Sequence, residues 1–126
     1  GIVVSAVRPD LEISMDRAHL RQILWNLVGN ARRHCSGQPG AVKISAELLD
    51  DGRVALDVSD DGSGIPESLR GQVFEPFFTT HSKGTGLGLY IARELAEANG
   101  AVLELCGHAP SALPGAHFRI IGHVKP

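Results

Sequence analysis

Cysteine is scarce: Cys35 and Cys106 are the only two in 126 residues, and they form no C-x-x-C pair. That excludes a disulfide framework and a thiol redox motif, and points to a reducing cytoplasm with both thiols as ordinary packed side chains. No apolar run approaches the roughly 18 residues of a membrane helix, and the N-terminus lacks the charged-then-apolar layout of a signal peptide, so the chain is expected to be soluble as it stands. Neither charge sign dominates. Twelve Lys and Arg stand against fourteen Asp and Glu, a formal net charge of -2, which leaves no basic field for nucleic acid or anionic lipid. With 43% hydrophobic residues the length fits one core, and a single domain over residues 1–126 is expected, without repeats or low-complexity tails. Glycine, by contrast, is abundant: fifteen residues, above the roughly 7% average.

Residues 2–6 and 11–14 are short β-prone pieces around the Arg8-Pro9-Asp10 turn, and read as a small opening hairpin or edge. Asp16 stands as a helix N-cap, followed by Leu20, Ile23, Leu24, Leu27, Val28 and Ala31 at helical spacing. The helix should end near Cys35, before the Ser36-Gly37-Gln38-Pro39-Gly40 breaker. Alternation over residues 42–48 and 53–59, across Asp50-Asp51-Gly52, predicts two antiparallel strands with one buried and one largely wet face. A short helix fits Pro66 to Val73, and Leu87, Ile91, Leu95 and Ala98 predict another helix closed by Asn99-Gly100. Strands over residues 101–106 and 116–121 complete the chain.

On the first long helix, at about 100° per residue, Asn26, Asn30 and Arg33 fall within an arc of roughly 60° at the rim of the apolar stripe. Two amides and a guanidinium there can serve a hard cation and a phosphate, or can be plain solvated polar residues. Asp60 ends a strand ahead of Gly62 and Gly64; its carboxylate suits the exocyclic amine of adenine and not the carbonyl of guanine, although acidic-glycine turns are common at strand ends. Gly84-Thr85-Gly86-Leu87-Gly88-Leu89 precedes the second long helix, where free backbone N–H groups favour phosphate. No Walker pattern, dinucleotide fingerprint or eukaryotic-type kinase loop accompanies it. Phe74, Phe77 and Phe78, three of the four phenylalanines, gather around Glu75 and Pro76, as an anchor for one end of a loop would require.

In this order the four segments resemble the catalytic, ATP-binding domain of two-component sensor histidine kinases, over nearly the whole chain. Residues 26–31 are similar to that family's N box, 60–64 to its G1 box, 74–78 to its F box and 84–89 to its G2 box. The resemblance implies an α/β (α+β) two-layer sandwich of the Bergerat fold, with a mixed, mainly antiparallel sheet and three helices on one face. It implies ATP and Mg²⁺ as ligands, Asn30 as the principal magnesium ligand with Asn26 assisting, and Asp60 on the adenine amine in a pocket shaped by Gly62 and Gly64. Arg33 stands where the family usually has a phosphate-contacting Lys, and His34 where it has a ring-stacking Tyr. Gly84, Gly86 and Gly88 would give backbone room at the phosphates beside Leu87, with a hydroxyl from Thr85. His81 stands where many relatives carry Lys, and Lys83 is the cation that could replace it.

Hydrolases of the same superfamily place a Glu general base where this chain has Asn26, which disfavours water activation and favours transfer to another nucleophile. In the resembled kinases that nucleophile is a histidine followed by Glu or Asp on a separate dimerisation domain, and none of the six histidines here has that neighbour. The implied partners are therefore that domain and a response regulator, with the isolated fragment monomeric and cytoplasmic and an inner-membrane anchor an option for the full-length protein. A superfamily ATPase and a nucleotide-binding pseudokinase are the alternatives. His19, His108, His117 and His123 have no metal-ligand spacing and are expected on the surface or in loops. Trp25 points away from the apolar stripe, either to contact the dimerisation helices or the lid, or to pack under a loop.

Overall fold

The computed structural model describes residues 2–6, 13–78, 86–106 and 114–124. Helix α1 (Arg17–His34) starts where predicted: the Asp16 carboxylate accepts from the His19 N–H at 3.0 Å. Arg32, Arg33 and His34 lie in its last turn, where positive charge complements the helix dipole. The helix stops at Cys35, whose N–H still donates to the Ala31 carbonyl, because Pro39 and the left-handed Gly37 and Gly40 cannot continue it. Ile23, Leu27 and Ala31 form its buried stripe; full burial contributes about 1.5–3 kcal/mol for each of the two larger side chains.

Five strands, β1 (Ile2–Ala6), β2 (Val42–Leu48), β3 (Arg53–Asp60), β4 (Val102–Leu105) and β5 (His117–His123), form one sheet in the order β1-β2-β3-β5-β4. All pairings are antiparallel except β1 with β2. Of the opening hairpin or edge expected, the edge is found: β1 runs parallel to β2 at the sheet edge, while Ile13 bridges to Val124, just past β5. A parallel partner is contributed by a distant segment, which local turn signals do not reveal.

Helix α2 (Gly88–Ala98), the 3₁₀ segment η1 (Glu67–Gln72) and α1 supply the three helices of the sandwich. Asn26 contacts Gly88 at the start of α2, and Asp16 contacts Asn99 just past its end, so α1 and α2 run antiparallel. The core joins Ile23 and Leu27 to Ala92 and Ala96, and both helices to Val42, Val58, Leu103, Phe118 and Ile120 on one sheet face. Small alanines, not the predicted Leu87, Ile91 and Ala98, carry the tight side of α2; Ile91 is exposed. Left-handed Gly100 ends the helix as expected.

The opposite sheet face departs from expectation, because its centre is not wet. Asp57, Ser59 and His117 are buried there, and Arg119 donates to both Asp57 and Glu47. His117, expected on the surface, lies 2.5 Å from Asp57 through Nε2. Asp57 and Arg119 face each other in the β3–β5 register and His117 is the diagonal neighbour, so the three meet only once the sheet has formed. Burial raises the Asp57 pKa, but the His117 and Arg119 hydrogen bonds and the Arg119 charge outweigh it and hold the carboxyl below its ordinary range.

Candidate functional site

Asp60 is the last residue of β3, on the helix-facing side opposite Val42. It is 2% exposed, and its Oδ1 accepts from the N–H groups of Gly62 at 2.8 Å and Ala116 at 3.3 Å. Oδ2 has no hydrogen bond to a described residue. Main-chain contacts to the segment leading into β5 fix the position: Asp60 N–H donates to the Ala116 carbonyl and Gly115 N–H to the Asp60 carbonyl. Burial pushes the carboxyl pKa up, opposed by the two N–H donors and by nearby His34. An acceptor half-used by the protein and poorly solvated gains most from a further donor, such as an exocyclic amine.

The end of α1 is drawn over this carboxylate. Asp61 accepts from the Ser36 N–H at 2.8 Å and hydroxyl at 2.6 Å, which clamps the chain leaving α1 to the chain leaving β3. Gly62 has no room for a side chain, since a Cβ would overlap the His34 carbonyl and stand 3.0 Å from Asp60 Oδ1. Gly64 has φ +78°, a conformation that glycine adopts without strain. Asp60, Gly62, Gly64 and the end of α1 at His34 thus form one corner.

Asn30 sits half-buried on α1 with no hydrogen bond to a described residue. A neutral amide oxygen of this kind fits a magnesium ion that keeps waters and takes phosphate oxygens as its other ligands. Asn26 is engaged at both ends, accepting from Gln22 Nε2 at 2.8 Å and donating to the Gly88 carbonyl at 3.1 Å. It therefore ties α1 to the N-terminus of α2. Arg33 is exposed, with its guanidinium lying back along the helix over Gly29. Among the described residues no group of three or more His, Cys, Asp or Glu could hold a metal.

Lys83, Gly84 and Thr85, with His81, lie outside the described residues. Gly86 has φ +75°, and a Cβ there would overlap the Phe77 backbone, whose N–H donates to the Gly86 carbonyl at 2.8 Å. This tie joins the F-box and G2-box segments. Leu87 caps α2, and at Gly88 an added Cβ would meet no described residue within 4 Å. Phe74 stacks edge-on with Phe118 at 5.9 Å and Phe78 packs on the core, as an anchor should, whereas Phe77 is 74% exposed with φ +68°.

Neither the Asp61–Ser36 clamp nor the support of Asp60 by Gly115 and Ala116 follows from the local sequence pattern. The signal available for the second was a Pro-Gly pair immediately before a strand. A cavity of about 720 Å³ at the other end of α1, lined in part by Leu20, Leu24 and Leu56, contains none of the nominated residues.

The family model described as histidine kinase-, DNA gyrase B- and HSP90-like ATPase matches residues 15–123. Sensor protein kinase PilS of Pseudomonas aeruginosa is 44% identical over 98 residues, 75% of this chain but 18% of that protein. The chain thus spans less than a fifth of this curated relative. Among solved structures, the mycobacterial sensor histidine kinase MprB superposes with TM-score 0.81 at 29% identity, covering 99% of this chain and 82% of that one. Full-length ShkA in complex with AMPPNP gives TM-score 0.80 at 33% identity, covering 98% of this chain and 25% of that one.

Proposed function

Because the chain belongs to the family of histidine kinase-, DNA gyrase B- and HSP90-like ATPases, with sensor histidine kinases as its relatives, we propose that it binds Mg-ATP and transfers the γ-phosphoryl group to a histidine on a separate dimerisation domain. The observation that carries the nucleotide half is the buried Asp60 carboxylate with one oxygen lacking a partner among the described residues. Full-length ShkA was solved with AMPPNP, an ATP analogue, which supports a similar ligand here.

In this reading Asp60 accepts from the adenine amine, and Gly62 and Gly64 let the backbone approach the ring beside His34. Asn30 would hold magnesium, which when bound supplies charge neutralisation across the phosphate oxygens. Asn26 holds the start of α2 against α1, so the turn at Gly86, Leu87 and Gly88 would meet the phosphates, and the family resemblance assigns Gly84 and Thr85 to the same group. Arg33 and Lys83 would supply positive charge to the phosphates. A lone pair on the acceptor imidazole attacks phosphorus while the bond to the bridging oxygen breaks, and ADP leaves. Asn26 offers no carboxylate to prime a water, which preserves the nucleotide for transfer. The phosphoryl group would then pass to an aspartate on a response regulator.

The test is to mix the chain with its own dimerisation helices and γ-labelled ATP. Label on the helices that is stable to alkali and lost in acid, as a phosphoimidazole is, supports transfer. ATP binding without any labelling supports a pseudokinase, and rapid phosphate release by the chain alone supports a superfamily ATPase.

A further inference from the structure

The adenine-facing carboxylate rests on a residue outside the four sequence boxes. Gly115 lies two residues before β5 and donates its N–H to the Asp60 carbonyl at 2.7 Å. A Cβ built on it would overlap Asp60 Oδ1 and stand 2.6 Å from the Asp60 carbonyl oxygen and 2.7 Å from the Gly62 nitrogen. All three contacts belong to the Asp60–Gly62 corner. The backbone at Gly115 is not in the left-handed region, so glycine is not needed there for its φ. Space is what the position must provide.

The neighbouring Ala116 N–H is the second donor to Asp60 Oδ1, and its carbonyl receives the Asp60 N–H. A side chain at Gly115 would push the carboxylate from this cradle, turning it away from the direction in which Oδ2 is free. We infer that Gly115 is a positioning residue for base selectivity: its missing side chain sets where the Asp60 carboxylate stands, and thereby the preference for a purine bearing a 6-amino group. This rests on the adenine-pocket reading above.

The test compares ATP with the triphosphate of purine riboside, which lacks the 6-amino group, by calorimetry on the parent and on Gly115→Ala. The parent is expected to prefer ATP roughly 10- to 100-fold, as a charge-assisted hydrogen bond gives. In Gly115→Ala that ratio should fall to within about threefold of unity, with the deamino analogue bound nearly as in the parent. A general structural role would weaken both ligands alike and keep the ratio, which would overturn the inference. A parent that does not prefer ATP would instead refute the adenine-pocket reading.

Should Gly115→Ala fail to fold, the pair Asp60→Ala and Gly115→Ala decides. The tightest contact is with the Asp60 carboxylate, so the double variant should be more stable than the single one. A double variant that is no more stable would show that the added methyl group does not act through Asp60.

Discussion

Replacing Asp60 by Asn separates ligand binding from folding, because the two effects have opposite signs. The amide keeps an oxygen for the Gly62 and Ala116 N–H groups, now 2.8 and 3.3 Å from Oδ1, and turns an NH₂ toward the nucleotide. A charge-assisted hydrogen bond of about 1.5–3 kcal/mol is lost, and two donors then face each other at a further cost of about 1–3 kcal/mol. Together these weaken ATP by roughly two to four orders of magnitude. GTP, whose ring carbonyl can accept from the amide, should weaken little or strengthen. Folding responds the other way. Burial holds the Asp60 pKa above its unfolded value, so ionisation costs stability at neutral pH, and the neutral amide removes that cost. Titration calorimetry and thermal unfolding without ligand provide both readouts. Parent-like ATP affinity, or a lowered melting temperature accompanying the loss, would refute the reasoning.

Asn30→Ala should abolish most of the magnesium-dependent gain in ATP affinity while leaving metal-free binding near the parent value; equal losses with and without Mg²⁺ would count against a metal role. ATP affinity should decline on acidification at a higher pH than an ordinary carboxylate would give, since Asp60 protonates early, and Asp60→Asn should flatten that profile. On the opposite sheet face, the folded-state pKa of Asp57 is depressed, so its stabilisation is complete above the unfolded value and disappears as pH falls through the folded one. Asp57→Ala should cost about 2–4 kcal/mol by urea unfolding at pH 7, leaving His117 and Arg119 without their shared acceptor, and less at pH 3. Trp25→Ala, at a 76% exposed site, should change the stability of the isolated chain by no more than about 0.5 kcal/mol.

Local pattern carried much of this structure. The α1 boundaries at Asp16 and Cys35, the β2–β3 hairpin and the Gly100 stop follow from spacing and turn chemistry within a few residues. The Asp60-to-Gly64 corner was legible because its glycines and carboxylate are close neighbours in sequence. What escaped depends on register between distant strands. His117 and Asp57 are 60 residues apart and meet by β3–β5 pairing, so nothing in the local sequence marks His117 as buried. Gly115 supports Asp60 for the same reason. The parallel docking of β1 and the Asp61–Ser36 clamp also arise from tertiary placement. The inner face of α2 is not the one its hydrophobicity pattern predicts, because close approach to α1 selects Ala92 and Ala96 whereas the pattern gives most weight to the larger Ile91.

The central claim is a cleft that holds an adenine nucleotide with magnesium and keeps it intact. Calorimetric titration of the chain with ATP, ADP and GTP, with and without Mg²⁺, followed by phosphate assay of the cell contents, tests it most directly. The expected result is ATP binding strengthened by Mg²⁺, GTP weaker by tenfold or more as loss of the Asp60 hydrogen bond implies, and no appreciable phosphate release over the experiment. No heat with ATP, equal affinity for GTP, or rapid hydrolysis by the chain alone would contradict the account.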